Sequence, residues 1–239
     1  MNQLRGRVVE GQYLSDAQKE RMFELLAFYF ENIAWLNFTR DLAEKNWVIL
    51  LEDYETGQIQ GFSTIMLLES VIEGKKVKAI FSGDTIVDRN YWGELELARV
   101  WLNFVYNLAR EFRGIKFYWY LISKGYKTYR FLPVYFHDFY PCYDRVTPAF
   151  EKNVLDTFGQ LKFPAHYDNE TGIISFNNPG DYLKPGVADI TPGRLKDPHV
   201  RYFTEKNPGY RSGDELACIT EISVANLKRA GLKLLKKDC

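Results

Sequence analysis

The chain has 239 residues, 46% of them hydrophobic, and its 31 basic side chains balance 31 acidic ones. That composition is typical of a globular domain and excludes wholesale disorder, and a chain without net charge has no overall field that would hold nucleic acid. Its three cysteines, Cys142, Cys218 and Cys239, are far apart and odd in number. This excludes a disulfide scaffold, and with no apolar stretch of membrane-spanning length we expect a cytoplasmic protein without a membrane span.

A capping box opens the first predicted helix. Ser15 and Gln18 have the spacing at which each side chain caps the other's backbone N–H. The helix that follows is apolar on more than one stripe, so we expect it to be covered on two sides or to line a cavity. A second, short helix is predicted over Thr39–Lys45.

The middle of the chain reads as three strands, a helix and a fourth strand. Short turns separate the first three strands, which indicates an antiparallel meander. From Leu97 to Gly114 the apolar period changes to that of a helix, and the unbroken apolar run Ile115–Ile122 predicts a strand buried on both faces. A short helical segment, Tyr126–Phe139, follows and is interrupted at Pro133. The three strands of the meander are Trp47–Glu52, Ile59–Leu68 and Val77–Val87.

The chain from residue 142 onward is less regular. We predict a helix over Thr147–Gln160, a strand over Gly172–Phe176 and a returning strand over Asp214–Ser223. A long irregular excursion, residues 177–213, separates the two strands, and Val224–Lys237 reads as an amphipathic, lysine-rich helix. Because no linker or repeat divides the chain, we expect residues 142–239 to complete one sheet and residues 1–239 to form a single domain.

The order helix, helix, three meandering strands, helix, buried strand and short helix resembles the GNAT superfamily of N-acyltransferases over residues 12–141. The resemblance implies an α/β (α+β) fold, in which helices flank a mixed, mostly antiparallel central sheet. It also implies transfer of an acyl group from a pantetheine thioester to an amine of a small molecule or peptide, by direct attack and without a metal. Consistent with that, the histidines His137, His166 and His199 have no zinc-ligand spacing.

The phosphate-binding loop is where the chain departs from the family pattern of an aromatic, a basic residue and three alternate glycines. Tyr91 and Gly93 match it, whereas Trp92, Leu95 and Leu97 replace the basic residue and the other two glycines. Glycines at a helix start let backbone N–H groups approach a pyrophosphate, and the helix dipole adds to the attraction. The sequence therefore leaves two donors open, acyl-CoA and an acyl-phosphopantetheine group on an acyl carrier protein.

Charge around this loop bears on the same choice. Glu94 and Glu96 would repel a coenzyme A diphosphate, whereas a carrier-bound arm has only one phosphodiester. A basic run could dock an acidic carrier protein, or it could be a set of solvated charges. The run comprises Arg110, Arg113, Lys116, Lys124, Lys127 and Arg130. The donor-binding residues that the resemblance implies are Ile86, Val87, Arg89, Tyr91, Trp92, Gly93, Ser123 and Tyr126.

Asp84 is the candidate general base. Strict alternation along its strand would place Ile80, Ser82, Asp84 and Ile86 on one face. A carboxylate among apolar neighbours is costly to bury unless it is paired or holds an acceptor amine, and burial would raise its pKa toward working pH. The alternative is a structural aspartate tied to an arginine or a backbone N–H. Gly83, in mid-strand, predicts a bulge or a close ligand approach.

The resemblance also implies a tyrosine that protonates the leaving thiolate. Alignment with the family's tyrosine points to Tyr135, and Tyr129 or Tyr126 would serve the geometry as well. The ordinary reading of each is a core or rim tyrosine. A rival hypothesis for the whole chain is a non-catalytic GNAT-like module that binds a ligand or partner, because the glycine pattern is degraded.

Aromatic residues make up 16% of the chain, which is either a large core or an acyl tunnel. A tunnel would bind fatty acyl chains with about 0.8 kcal/mol for each buried methylene. Medium- or long-chain thioesters would then be better donors than acetyl-CoA. The residues predicted to line it are Phe28, Phe30, Trp35, Phe38, Tyr118 and Tyr120.

Overall fold

The structure is a computed structural model that describes residues 3–176 and 180–235. Within them, ten strands and eight α-helices are formed. The strands are β1 (Leu4–Glu10), β2 (Phe30–Glu31), β3 (Trp47–Asp53), β4 (Ile59–Ile72), β5 (Lys75–Val87), β6 (Lys116–Ser123), β7 (Tyr167–Asp168), β8 (Ile173–Ile174), β9 (Tyr182–Leu183) and β10 (Glu215–Glu221). The helices are α1 (Asp16–Tyr29), α2 (Trp35–Ala43), α3 (Glu96–Glu111), α4 (Tyr126–Tyr129), α5 (Phe131–Tyr135), α6 (Ala149–Lys162), α7 (Pro198–Lys206) and α8 (Arg229–Leu232).

Eight of the strands form one mixed sheet in the order β1-β3-β4-β5-β6-β10-β8-β7. The pair β5–β6 is parallel, and the other neighbours in this sheet are antiparallel. The predicted meander is β3, β4 and β5, and the strand predicted to be buried on both faces is β6, between β5 and β10. The predicted α/β fold with a mostly antiparallel central sheet is therefore confirmed.

Helices cover both faces of this sheet. On the α3 face, α3 packs with α4, α5 and α7 against inward side chains such as Ile80 and Trp119. On the opposite face, here called the α1 face, α1 and α2 cover β3 and β4, and α6 covers β5, β6 and β10. The neighbours Ile80 and Phe81 point to opposite faces, as the period of two in a strand requires.

Local signals in the sequence account for where several elements begin and end. The Ser15 Oγ accepts from the Gln18 N–H at 3.3 Å and the Ser15 N–H donates to Gln18 Oε1 at 2.9 Å, so the predicted capping box opens α1. Gly114, with φ of +82°, lies in the turn between α3 and β6.

Three features differ from the sequence-based predictions. Strand β1 is not among the predicted elements; its seven residues pair with β3 at the edge of the sheet. Helix α7 lies inside the predicted irregular excursion, where Asp197 caps it and Pro198 opens it. The helix predicted over Val224–Lys237 is wrong in extent, because α8 is a single turn. Predictions that fall on residues 177–179 and 236–239, Cys239 included, lie outside the described residues.

The C-terminal strands β8 and β10 join the central sheet through β6, at the positions where the sequence predicts strands. The division of the chain into one domain stays a prediction. No helix among the described residues is long and apolar enough to cross a membrane.

Candidate active site

The central feature of the sheet is an opening between β5 and β6. Their parallel ladder runs from Val77–Lys116 to Ser82–Leu121 and ends there. Beyond it, β5 continues to Val87 against β4, while β6 continues to Ser123 against β10. The two strands therefore separate, and the edge of β5 over residues 83–87 faces a gap.

A β-bulge lies where the gap begins. Ser63 pairs with Thr85 and Ile65 pairs with Ser82, so the single residue Thr64 of β4 faces two residues of β5, Gly83 and Asp84. The bulge that glycine predicts in this strand is thus present. A side chain at position 83 has no room, because an added Cβ would lie 2.6 Å from Thr64 Oγ1.

The bulge corrects the predicted orientation of Asp84. Ile80 and Ser82 point to the α3 face, as alternation predicts, but Ile86 packs into the core on the α1 face. Thr85 lines the cavity on the α3 face. Because the extra residue reverses the alternation, Asp84 lies on the α1 face with Ile86 and not with Ile80 and Ser82.

On the α3 face the opening leads into an apolar cleft between α3, β6 and α5. Its enclosed part measures about 40 Å³. Two indoles form one wall: Trp101 and Trp119 lie 4.3 Å apart, and both Nε1 atoms donate to Ser82 Oγ, at 3.2 and 2.9 Å. Since these polar edges are satisfied by one hydroxyl, the cleft presents mainly carbon to a ligand. Tyr135 and Phe131 of α5 line the other side.

On the α1 face the opening is surrounded by charge. Asp84 is half-buried there, and burial together with the carboxylates of Asp41 and Asp181 raises its pKa to about 6. The ammonium groups of Lys124 and Lys45 lower the pKa of Asp84, but to a smaller extent. Within the described residues, no hydrogen bond or ion pair fixes the Asp84 carboxylate. This favours a carboxylate that is available to a ligand over one tied to an arginine.

Lys124 connects Asp84 to two further carboxylates. Its Nζ donates to Asp181 Oδ2 at 2.6 Å and lies 3.4 Å from Glu215 Oε1. Burial lowers the pKa of Lys124, but Glu215 and Asp181 outweigh it and raise the value to about 12. Burial raises the pKa of Glu215 to about 7, against the effect of Lys124. Glu215 is not among the site residues predicted from the sequence. The feature that could have indicated it is a carboxylate at the start of a largely apolar strand.

A second group of charges lies beside the bulge. The Lys45 Nζ is fully buried and donates to Asp41 Oδ2 at 2.5 Å. Lys162 of α6 pairs with Asp41 at 3.5 Å and with Glu44. A Cβ built on Gly83 would lie 3.0 Å from Lys45 Cε, so this lysine fills the space under the bulge. The positive charges of the two lysines therefore compensate the negative charges of Asp41 and Glu44.

The predicted donor-binding residues at the end of β5 form the rim of the gap. The Val87 carbonyl accepts from Trp92 Nε1 at 2.8 Å, so the indole lies against the strand end. Trp92 is 46% exposed, with the Lys127 ammonium 3.7 Å and the Arg89 guanidinium 5.9 Å from its ring. An aromatic side chain with two cations thus stands where the family pattern has a basic residue. Ile86, by contrast, is buried in the α1-face core.

The remaining loop residues have structural partners. Tyr91 is buried and donates to Asp53 Oδ2 at 2.7 Å, and burial followed by this hydrogen bond raises its pKa to about 12. Gly93 has φ of +102°, which a side chain would strain. Glu96 accepts from the Gly6 N–H at 2.7 Å and pairs with Arg99. Its charge is therefore compensated inside the protein.

The four predicted site residues from the end of β6 onward lie in different places. Ser123 is buried and donates to the Gly125 carbonyl at 2.7 Å, and Tyr126 is buried in the α3-face core. Tyr129 donates to the Pro141 carbonyl at 3.0 Å and packs among aromatic rings, away from the residues that line the cleft. Tyr135 lines the cleft, and burial raises its pKa. The structure thus brings Tyr135, and not Tyr129, to the opening.

The aromatic tunnel predicted from the sequence is not formed. Phe28 is 63% exposed and Trp35 is 42% exposed, while Tyr118 and Tyr120 pack in the core under α6. Helix α1 is apolar on several faces, but part of this apolar surface is exposed to solvent and lines no cavity. The aromatic cavity belongs to α3, β6 and α5 on the other face of the sheet.

Much of the predicted carrier-docking run is paired within the chain. Lys116 lies 3.7 Å from both Glu151 and Glu221, and Arg130 lies 3.2 Å from Asp197. Lys124 belongs to the charged cluster on the α1 face. The run therefore does not form a surface of unpaired cations. Among the residues that the structure describes, no group of His, Cys, Asp and Glu side chains is arranged to hold a metal ion.

Comparisons with known proteins find similarity in fold. No protein-family profile matches the chain, and no curated protein matches it. Among solved structures, a probable N-acyltransferase from Enterococcus faecalis is 18% identical with a TM-score of 0.40, over 57% of this chain and 33% of that chain. A GNAT family N-acetyltransferase from Escherichia coli, in complex with CoA, is 18% identical with a TM-score of 0.38, over 55% of this chain and 68% of that one.

A third match is glucosamine-6-phosphate N-acetyltransferase from Arabidopsis thaliana, 15% identical with a TM-score of 0.39, over 62% of this chain and 99% of that one. The chain thus spans about a third of the Enterococcus protein and nearly all of the Arabidopsis one. From α1 to α5 the order of elements is the one that the GNAT resemblance implies. In this order of elements the central strands β5 and β6 are a parallel pair whose ladder ends at Ser82 and Leu121.

Proposed function

We propose that the chain is an acyltransferase that moves an acyl group from a pantetheine thioester to the amine of a small molecule or peptide. The observation that supports this best is the opening between β5 and β6. At this opening an apolar cleft lies on one face of the sheet and the Asp84 carboxylate lies on the other. The acyl chain of a thioester is apolar and suits the cleft, whereas an amine is basic and suits the carboxylate.

In the proposed reaction the amine nitrogen attacks the thioester carbonyl carbon, and a C–N bond forms. Asp84, which is largely ionised at neutral pH, accepts the proton that the nitrogen loses. The tetrahedral intermediate then breaks its C–S bond, and the leaving thiolate takes a proton from the Tyr135 hydroxyl. The tyrosinate regains a proton from solvent while Asp84 releases its own, which restores the starting state. The raised pKa of Tyr135 keeps that hydroxyl protonated at neutral pH. No covalent enzyme intermediate is needed.

Donor binding would use the edge of β5 over residues 83–87 for the pantetheine amides and the cleft of Trp101 and Trp119 for the acyl chain. Trp92, Lys127 and Arg89 would meet the phosphate end of the arm, from acyl-CoA or from a carrier-bound donor. The enclosed 40 Å³ holds only a few water-sized groups, so a medium or long chain must extend along the opening or displace α5 side chains. We propose that such chains are nevertheless the better donors, because the cleft wall is apolar.

One observation favours a second function, a GNAT-like module that binds a ligand without catalysis. The Val87 carbonyl, which the donor would approach, already accepts a hydrogen bond from Trp92. In a catalytic chain a donor amide would have to share this carbonyl with the indole or displace the indole, whereas a binding module need not use the carbonyl.

The test is release of free thiol from thioesters from acetyl to palmitoyl, on CoA and on an acyl carrier protein, with a panel of amines. We expect release that depends on the amine and rises with chain length until the cleft is filled. Stabilisation of the protein by a thioester with no release under any condition would favour the binding module. At a hundredfold excess over Kd a ligand stabilises by about 2.7 kcal/mol, which a thermal shift detects. A maximum at acetyl would contradict the preference for long chains.

A further inference from the structure

The charged cluster on the α1 face contains more carboxylate than the proposed reaction uses. We propose that the acceptor is a dication, a linear diamine, whose first amine is acylated beside Asp84 and whose second amine is held by Asp181 and Glu215. This inference rests on the proposed acyl transfer and specifies its acceptor.

Charge counting supports a second cation. Asp84, Asp181 and Glu215 share one ammonium, that of Lys124, so the three carboxylates exceed the cation by two charges. The neighbouring lysine Lys45 is engaged by Asp41, as described above. The reacting ammonium gives one proton to Asp84, which frees the attacking amine, and the nitrogen loses its second proton to solvent after the attack. One excess negative charge then remains on the other two carboxylates. With a neutral or anionic acceptor this charge can be removed only by a proton on Glu215, whose pKa is raised by burial to about 7, whereas a second ammonium would compensate it directly.

A buried hydroxyl points independently to a ligand at this site. Thr64 Oγ1 is buried without a hydrogen-bond partner in the described residues. It lies next to Gly83, and Thr64 faces Gly83 and Asp84 across the bulge. A hydroxyl can accept a hydrogen bond from an ammonium group, which has three donors and no acceptor. Because a buried hydroxyl without a partner is costly, a ligand that satisfies it gains affinity.

The position of Asp181 is fixed by the segment that crosses this face. Strand β9 pairs with β2, and Lys184 donates its Nζ to the Ala27 carbonyl at 2.7 Å. Asp181 also accepts from Lys124 through its backbone carbonyl, at 3.1 Å. Its side chain nevertheless remains 36% exposed, so the carboxylate can be reached by a ligand. Phe30 of β2 lies over Lys124, 5.6 Å from Nζ, and adds an aromatic wall that favours cations.

The experiment compares three acceptors of equal chain length under the same thioester: putrescine, butylamine and γ-aminobutyrate. Each has four carbons, and they differ at the fourth: in putrescine it carries an ammonium, in butylamine it is a methyl, and in γ-aminobutyrate it is the carboxylate. We expect kcat/KM for putrescine to exceed that for butylamine by tenfold or more, and γ-aminobutyrate to be the poorest. A putrescine advantage below tenfold, or γ-aminobutyrate at or above butylamine, overturns the inference while the proposed acyl transfer stands.

Two variants test the assignment to these residues. Asp181→Asn should lower the ratio of kcat/KM for putrescine to kcat/KM for butylamine about tenfold, because an effect transmitted through Asp84 acts on both amines alike. Asp189→Asn, an exposed carboxylate of the same crossing segment, should leave this ratio unchanged. Equal effects of Asp181→Asn on both amines would overturn the assignment. Calorimetric titration of putrescine and butylamine without a thioester gives a readout apart from activity. Preferential binding of putrescine that Asp181→Asn abolishes, with no thiol release from any donor, would retain the dication site and refute the acyl transfer. Neither binding nor release would refute both.

Discussion

The two sides of the opening between β5 and β6 are built from contrasting residues. On the α3 face, Trp101, Trp119 and α5 enclose an apolar cleft whose polar edges are satisfied by Ser82. On the α1 face, Asp84, Lys124 and the carboxylates around them form a half-buried charged cluster. A single sheet therefore separates a site suited to an acyl chain from one suited to a charged amine.

The contrast has a local cause. Without the bulge at Gly83 and Asp84, alternation would turn Asp84 toward Ser82 and into the apolar cleft. The extra residue moves the carboxylate to the other face, while Thr85 takes the place on the cleft side. An apolar acyl chain and a charged amine can then approach the same edge of β5 from opposite faces of the sheet, so that each face can be altered separately.

The largest effect is expected from the charged side. Asp84→Asn keeps the shape of the side chain but cannot accept a proton at neutral pH, and general-base catalysis typically contributes a hundredfold or more. We expect kcat to fall at least about a hundredfold with KM for the thioester unchanged, measured by steady-state thiol release. Asp16→Asn, an exposed carboxylate on α1, is the matched control. Unchanged turnover in Asp84→Asn would remove this residue from the mechanism.

An intermediate effect is expected from the apolar side. Ala98 of α3 lines the cleft, and Ala98→Leu would fill part of its 40 Å³. We expect KM for the thioester to rise about tenfold, because the leucine side chain would exclude part of the acyl chain from the cleft. Each methylene that is no longer buried lowers the binding free energy by roughly 0.8 kcal/mol. KM for the amine should not change. Ala109→Leu on the same helix controls for helix perturbation, and a matching loss in both variants would argue against the cleft as the donor site.

A smaller effect separates the two tyrosines. Tyr135→Phe should lower kcat several-fold, because the thiolate must then take its proton from water. Tyr129→Phe should leave kcat unchanged and destabilise the fold by about 1 kcal/mol, since its hydroxyl donates to the Pro141 carbonyl. Urea unfolding of both variants beside their kinetics checks this. The reverse pattern would assign the acid role to Tyr129.

The smallest effect concerns stability. The pKa of Asp84, raised to about 6 from an ordinary 3.8, means that the folded state binds its proton more tightly than the unfolded chain. Ionised Asp84 therefore costs stability above about pH 6, and the cost vanishes below about pH 4. Asp84→Asn should be more stable than the parent by roughly 1–2 kcal/mol at pH 8, after a discount for partial exposure, and no more stable at pH 4. If the variant and the parent were equally stable at both pH values, the ionised Asp84 carboxylate would not destabilise the fold.

The sequence predicts the central part of the fold because its signals there are local. The capping box at Ser15 and Gln18 and the apolar run of β6 each decide an element without help from distant contacts. The C-terminal part was harder, because β8 has two residues and α7 lies in a segment that reads as irregular. Such elements owe their formation to tertiary packing more than to propensity.

For the candidate site, the sequence identified Asp84 and Gly83 but not the face on which Asp84 lies. Alternation predicts a face only in a regular strand, and one extra residue reverses it. Glu215 was missed because its proximity to Lys124 depends on the pairing of β10 with β6. Asp181 was missed because it arrives from a distant crossing segment. Contacts of this kind are not encoded in the spacing of residues along the chain.

The central claim, that donor and acceptor approach the opening from opposite faces, is tested most directly by a crystal structure with an unreactive thioether analogue of a medium-chain donor. We expect the acyl chain to lie against Trp101 and Trp119, with the carbon that represents the reacting centre beside Gly83 and Asp84. An analogue bound instead among Lys45, Lys124 and Glu215 on the α1 face would contradict it.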